Sequence, residues 1–356
     1  MDSRSATSFL PAVPEEITTQ WLTTAVAGRY PEARARKVEV VDAHSGTTGR
    51  AQIRVEWQGL DTPAASIFVK LPPTNEISRQ MVLATGMGRR EARFYQHVAS
   101  AVPVRVPQPL FAQASDDGAE YIMLLEDLNA AGCTFPGTNH PDLLTYAGSL
   151  MCALGRLHAH YRGTQAAHAE LAFIEGPMRN DWGQILIKSA LEQFATEMPP
   201  EFGELGRLYL DANQGFQAIL EEGVPTLIHG DPHLGNLFVD GDEVGFLDWA
   251  CTCRSNGVRD VAYFSCNSLP TALRREHEGA LLSLYRDSLA TGGVVLDAAA
   301  IREDYRRYAA YAWLAAVTTL AAGDRMQSIE VGRRATARAN SALRDLGTVD
   351  YFRDRL

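Results

Sequence analysis

Residues 227–250 read LIHGDPHLGNLFVDGDEVGFLDWA. Three oxygen-bearing side chains stand at loop positions beside apolar runs in this stretch: Asp231, Asn236 and Asp248. The runs TLIHGD, NLFVD and EVGFLDW break the helical period on either side and read as short strands holding loops. A DGDE turn folds the second strand back on the third, which returns Asp248 towards Asn236. The five-position step from Asp231 to Asn236 is the spacing of an H-R-D-x-x-x-x-N phosphoryl-transfer loop. In that chemistry the first carboxylate orients or accepts the proton of an attacking hydroxyl. The amide oxygen and the second carboxylate suit Mg²⁺, a hard cation that also binds phosphates. Phosphate charge repels an incoming oxygen, so a metal offsets that charge while one carboxylate sets the direction of attack.

A lone loop aspartate is ordinarily a turn or cap residue, and only the combination carries the reading. His229, Asp231 and His233 also alternate, and on a strand they would share one face as a metal-hydrolase cluster. Pro232 argues against a regular strand there, and the chain has no H-E-x-x-H. His229 and His233 read as loop-organising residues, and Trp249 as a packing residue.

HGDPHLGNLFV followed by GFLDW resembles the aminoglycoside phosphotransferase and choline-kinase-like superfamily, which includes the ecdysteroid-kinase-like branch. Its signature is HGDxHxxN, a hydrophobic strand, and an Asp followed by Phe or Trp. Asp260 in GVRDVAYF resembles the family's structural aspartate, and His158 in LGRLHAHY the histidine of its large-lobe helix. YIMLLEDL at 121–128 and residues 276–293 are similar to the ecdysteroid-kinase-like branch. The resemblance implies an α+β, protein-kinase-like two-lobed fold with a small antiparallel-sheet N-lobe and a large, mainly helical C-lobe. It implies ATP and Mg²⁺ as cofactors, Asp231 as the catalytic residue, and Asn236 and Asp248 as metal ligands.

Working outward agrees with two lobes. Pro14–Val26 begins as a helix, with two acids in its first turn. Residues 38–57 read as strand, turn and strand, 65–71 as a third strand, 77–98 as one helix, and 108–114 with 120–125 as a further pair. Helical spacing dominates afterwards, at 141–161, 183–221, 271–291, 299–321 and 325–345. The boundary is expected just after Asp127, giving a nucleotide-binding lobe at 1–127 and a catalytic and substrate-binding lobe at 128–356.

The N-lobe should hold the nucleotide. The chain has only three lysines, Lys37, Lys70 and Lys188. Lys70 closes the apolar run SIFVK, where the phosphate-binding lysine of a kinase belongs, although a snorkelling edge lysine is the bland alternative. Glu91 is its expected partner by analogy. The HSGTTGR turn offers Ser45, Gly46, Thr47 and Thr48 to cover phosphates, without the GK[ST] of a Walker loop. Arg50 reads as a strand residue. Backbone groups of Met123, Leu124 and Leu125 are expected to meet the adenine at the hinge.

Net charge is −10, which disfavours a general nucleic-acid binder. No apolar run reaches bilayer length, and no membrane association is expected. Five cysteines, an odd number in a long chain, read as reduced thiols. That, with an N-terminus lacking an apolar signal region, predicts a cytoplasmic protein, as a monomer or homodimer. Only residues 249–259 separate Asp248 from Asp260, too few for the activation segment of a protein kinase. The acceptor is therefore read as a small-molecule alcohol. A polycationic aminoglycoside would need convergent acids, for which Glu175, Asp181, Glu276, Glu278 and Asp304 are candidates, and the 173–185 loop is expected to touch the acceptor. A non-catalytic nucleotide-binding relative is the remaining alternative, opposed by the intact Asp231, Asn236, Asp248 and Lys70.

Overall fold

A computed structural model describes residues 9–163, 169–179, 181–323 and 327–356. The chain forms two compact units that are discontinuous in sequence. The first comprises Met1–Thr134, Glu170–Ile174 and Gly245–Cys251, and the second the remainder. The two show a small antiparallel sheet in the N-terminal region and a large, predominantly helical C-terminal region, the kinase-like fold expected.

The first unit is built on a five-stranded sheet of β1 (Arg34–Ser45), β2 (Gly49–Gln58), β3 (Ser66–Leu71), β4 (Pro109–Ala114) and β5 (Tyr121–Glu126). Its order is β1-β2-β3-β5-β4, with every pairing antiparallel. Alternation in β2 turns Ala51, Ile53 and Val55 into the core beside Ile67, Val69, Ile122 and Leu124. Helix α1 is shorter than its sequence suggests. A 3-10 turn at Pro14–Glu16 precedes α1 (Thr19–Val26), which begins where the Thr18 side chain accepts the Trp21 N–H. The helix expected over 77–98 is two helices, α2 (Glu76–Thr85) and α3 (Met87–His97). Gly86 separates them at φ 66°, a conformation that costs glycine little and ends α2 in a left-handed cap.

The second unit contains α4 (Leu143–His160), α5 (Trp182–Phe194), α6 (Pro200–Asp211) and α7 (Asn213–Leu220). The single helical stretch read over 183–221 thus breaks twice, before Pro200 and at Ala212. Then come β6 (Thr226–Ile228), β7 (Leu237–Asp240), β8 (Glu243–Phe246), β9 (Cys253–Ser255), α8 (Val258–Asn267), α9 (Thr271–Thr291), α10 (Ala298–Ala322), α11 (Ile329–Leu346) and α12 (Thr348–Arg353). Strand β6 pairs with β9, and β7 with β8. Helix α10 is central, burying Tyr305, Tyr308, Trp313, Val317 and Leu320. Its Trp313 indole donates to Asn340 of α11 at 2.8 Å. Among the described residues no helix is long and apolar enough to cross a membrane.

Candidate active site

The first unit assembles one charged cluster. Strand β3 buries Lys70 to 4% exposure, and α3 buries Glu91 completely. Lys70 Nζ lies 2.5 Å from Glu91 Oε2 and 3.2 Å from Asp248 Oδ1. Asp248 reaches this position because residues 245–251 pack on the first unit. The Phe246 N–H donates to the Arg105 carbonyl at 2.9 Å, and the Trp249 ring stacks on Phe94 of α3 at 4.0 Å. Phe94 lies one turn beyond Glu91, so the same helix face holds both the glutamate and the tryptophan that follows Asp248. Asp248 is the one non-glycine residue with positive φ among those described, at 63°. Aspartate tolerates that conformation better than most residues, and here it turns the carboxylate towards Lys70.

Sequence reading missed Arg50. It stands opposite Lys70 in the β2–β3 register, on the same face of the sheet, with Nη2 3.8 Å from Asp248 Oδ2. Only pairing of the strands reveals this.

Two carboxylates converging on one buried ammonium cannot both be comfortably ionised. Burial pushes the Glu91 carboxyl up to about 7, against the opposing pull of Lys70. Burial alone would lower the Lys70 pKa, but Asp248 and Glu91 outweigh it and raise it above the ordinary lysine value. Lys70 therefore stays protonated, and Glu91 takes up a proton more readily than an ordinary glutamate. The folded state holds that proton up to about pH 7, whereas an unfolded glutamate releases it near 4.5. This contribution to stability is fully present below pH 4.5 and is lost as pH rises through 7. Wild-type melting temperature should therefore fall relative to Glu91→Gln between pH 5 and 7.5, measured by thermal unfolding in matched buffers. Parallel pH profiles would contradict the assignment.

The turn between β1 and β2 is partly committed to itself. Ser45 Oγ accepts the Thr74 N–H at 3.0 Å, and the Gly46 N–H donates to the Thr48 carbonyl at 3.1 Å. Thr48 Oγ1 faces Arg50 Nε at 3.4 Å. A Cβ on Gly49 would sit 2.7 Å from the Pro72 carbonyl oxygen, so the turn rests directly on the backbone after β3. The Thr47 hydroxyl has no hydrogen bond among the described residues.

Met123, Leu124 and Leu125 are buried in β5, between β3 on one edge and β4 on the other. Met123 is opposite Lys70 and Ala112, and Leu124 opposite Val69 and Phe111. Their main-chain groups pair in these two ladders. The chain leaves the sheet only after Glu126.

The second unit organises the 229–236 loop around Asp260 in the first turn of α8. The Asp260 carboxylate accepts the N–H groups of His229 at 2.7 Å and Gly230 at 2.9 Å. His158 Nε2 lies 3.3 Å from the same carboxylate, and its Nδ1 is 3.0 Å from the Tyr285 hydroxyl. Burial alone would raise the Asp260 pKa, but His158, His229 and the Gly230 N–H hold it below the usual aspartate range. The loop is not a strand. It ends in a 3-10 turn, Leu234–Asn236, where His233 Nδ1 accepts the Gly235 N–H at 3.0 Å. Nδ1 of buried His229 accepts the Asp231 N–H at 3.2 Å. Among the described residues no three His, Cys, Asp or Glu side chains are grouped to hold a metal.

The Asn236 amide donates to Asp231 twice, to its carbonyl at 3.0 Å and to Oδ2 at 3.1 Å. Both bonds use the amide nitrogen, so the amide oxygen is turned away from Asp231 as an acceptor. His233 Nε2 is 3.7 Å from Asp231 Oδ2.

The same unit carries a feature that sequence reading did not find. Arg259 of α8 is only 9% exposed, and its guanidinium lies 3.5 Å from the ring centroid of Tyr311 on α10. The Tyr311 hydroxyl donates to the Gly230 carbonyl at 3.2 Å, one residue before Asp231. Two of the candidate acids are engaged in ion pairs. Glu278 pairs with Arg274, and Asp304 with Arg307 and Asn256. The exposed Glu276 side chain lies beside His277. Of the 173–185 segment expected as a loop, residues 182–185 begin α5, and Asn180 lies outside the described residues.

A family model described as a phosphotransferase enzyme family matches residues 60–311. Solved structures share the fold at low identity. Ethanolamine kinase from Plasmodium vivax matches at 11% identity and a TM-score of 0.52, covering 95% of this chain and 89% of its own. Choline kinase from Cryptosporidium parvum matches at 10% identity and a TM-score of 0.52, covering 95% and 94%. A GDP complex of a variant of aminoglycoside 2′-phosphotransferase-IIIa matches at 13% identity and a TM-score of 0.50, covering 94% and 98%. No curated protein sequence matches the chain.

Proposed function

The chain belongs to the phosphotransferase enzyme family, and from that premise we propose that it transfers the γ-phosphate of ATP to a hydroxyl group of a small molecule. The observation that carries this reading is the buried contact of Lys70 with Glu91 at 2.5 Å and Asp248 at 3.2 Å. An ammonium is costly to bury, and two carboxylates hold this one charged and fixed in direction. Such a cation suits the α- and β-phosphates of a nucleotide. Arg50, across the β2–β3 ladder, adds a second positive group on the same face. Thr47 and the backbone of the 45–48 turn would cover the phosphates. The base would take its hydrogen bonds from the chain just past β5, at Asp127 and Leu128, where the ladders end.

Asn236 and Asp248 are the residues that would hold Mg²⁺, each through a hard side-chain oxygen, and the Asn236 amide oxygen is directed away from Asp231. Bound there, the ion would neutralise charge on the phosphates. Asp231 acts on the acceptor: its carboxylate, held by the Asn236 amide, orients the attacking hydroxyl and takes its proton late. Free cysteines at all five positions suit a reducing cytoplasmic setting.

A screen of small alcohols by ATP consumption, with mass detection of the product, tests this function. The expected product gains one phosphoryl group, and chelation of Mg²⁺ stops turnover. Lys70→Met should lower kcat/KM for ATP by about a hundred-fold, the scale of losing one charge-stabilising donor. Turnover by that variant near the wild-type rate would remove Lys70 from the nucleotide site.

A further inference from the structure

We propose that Arg259 receives an anionic group, a carboxylate or a phosphate, carried by the acceptor molecule. The inference rests on the phosphotransferase reading above and narrows its substrate class to hydroxylated anions.

Most arginines of the second unit with comparable burial have acid partners. Arg274 is paired with Glu278 and Asp345, and Arg307 with Glu222 and Asp304. Arg259 is different. No carboxylate lies within ion-pairing distance of it among the described residues, and its buried Nε, like that of Arg307, has no hydrogen-bond partner. Its company is aromatic: the Tyr311 ring beneath it, and Tyr263 tilted against Tyr311 at 5.8 Å. A cation over an aromatic face gains little compared with the cost of leaving a buried charge uncompensated. A buried guanidinium without a carboxylate partner is a fork suited to two oxygens of a carboxylate or phosphate.

Its position gives it a task. Tyr311 joins Arg259 to the Gly230 carbonyl, and Gly230 precedes Asp231. An anion held by Arg259 would therefore be anchored within a few residues' reach of the carboxylate that orients the hydroxyl. At the other end of α8, Arg338 donates to the carbonyls of Asn267 and Ser268 at 3.1 and 3.2 Å. The Ser268 hydroxyl in turn accepts the Leu234 N–H of the same loop at 3.2 Å. Arg338 also lacks a carboxylate partner among the described residues. The loop is thus flanked by unpaired positive charge, whereas Glu278 and Asp304 are consumed in ion pairs. That arrangement favours an anionic acceptor and opposes a polycation.

Inorganic phosphate is the probe. Thermal unfolding of the full chain is measured against phosphate concentration at constant ionic strength, with chloride as the control. The wild type should be stabilised by phosphate, and Arg259→Met should need about tenfold more phosphate for the same shift, one bidentate contact's worth. Arg259→Lys, which keeps the charge but loses the fork, should fall between them and serves if the methionine variant does not fold. Identical phosphate responses in the wild type and these variants would overturn the proposal. A response that persists with a non-hydrolysable ATP analogue bound assigns the anion to the acceptor. A response abolished by the analogue assigns it to the nucleotide's terminal phosphate and overturns the acceptor reading. In turnover, hydroxy acids and phosphorylated alcohols should be consumed in preference to matched amino alcohols, and Arg259→Lys should raise their KM more than it lowers kcat. Preference for amino alcohols would sink the inference while leaving the phosphotransferase standing. An Arg259-dependent phosphate response without any ATP turnover would leave the anion site standing and remove the phosphotransferase.

Discussion

Replacing Asp231 by asparagine is expected to lower kcat by about a thousand-fold, within the range supplied by a positioned acid–base group. The substitution is nearly isosteric, and the reciprocal contacts of the loop explain why it should fold. The backbone N–H of Asp231 is held by His229 Nδ1, and its carbonyl by the Asn236 amide. Neither bond uses the carboxylate. What asparagine removes is a negative charge 3.1 Å from the Asn236 amide nitrogen and 3.7 Å from His233 Nε2. Affinity for a fluorescent ATP analogue should remain close to that of the wild type, because the proposed nucleotide contacts belong to Lys70 and the 45–48 turn. Equilibrium binding and single-turnover transfer measured on one preparation separate the two effects. Transfer at an undiminished rate would show that the acceptor proton goes elsewhere. Loss of nucleotide binding together with transfer would show that Asp231 acts on the phosphates and not on the acceptor.

The second large effect belongs to stability. Asp260→Ala removes a carboxylate that accepts two buried backbone N–H groups and faces His158. Each of those partners would be left in the interior with no replacement, because water does not reach His229, His158 or Asp260. The expected cost is about 3–5 kcal/mol, the scale of leaving several buried hydrogen-bonding groups unsatisfied at about 1–3 kcal/mol each. Chemical denaturation with a probe in the second unit should show the loss. Asp260→Asn should be milder, because its amide oxygen still accepts one of the two N–H groups. If the alanine variant unfolded at the wild-type denaturant concentration, the loop would be held by something other than this carboxylate. The two substitutions also differ in kind: Asp231→Asn should leave stability nearly intact, while Asp260→Ala should impair activity through misplacement of the 229–236 loop.

These predictions draw unequally on sequence and structure. The 227–250 stretch was legible because its information is local. Short spacing brings Asn236 back onto Asp231 within one loop, and a strand–turn–strand pattern needs no distant partner to be recognised. The alternating β-strands and the long C-terminal helices were legible for the same reason, since hydrophobic period is written residue by residue. Helix breaks were less so. Gly86 sits inside an apolar pattern that continues on both sides, and only its left-handed backbone separates α2 from α3.

The chain by itself specified a sheet followed by helices, an Asp–Asn–Asp constellation, and one lysine on a strand suited to meet it. Tertiary structure alone decided which charges are paired. Lys70 meets Asp248 because residues 245–251 fold into the first unit, although they lie far along the chain from β3. Met123 and Leu124 lie on an inner strand because β3 and β4 flank β5. Arg259 is buried without an acid, whereas Glu278 and Asp304 pair with Arg274 and Arg307. Electrostatic partnership depends on distance and desolvation, and neither is a property of residue order.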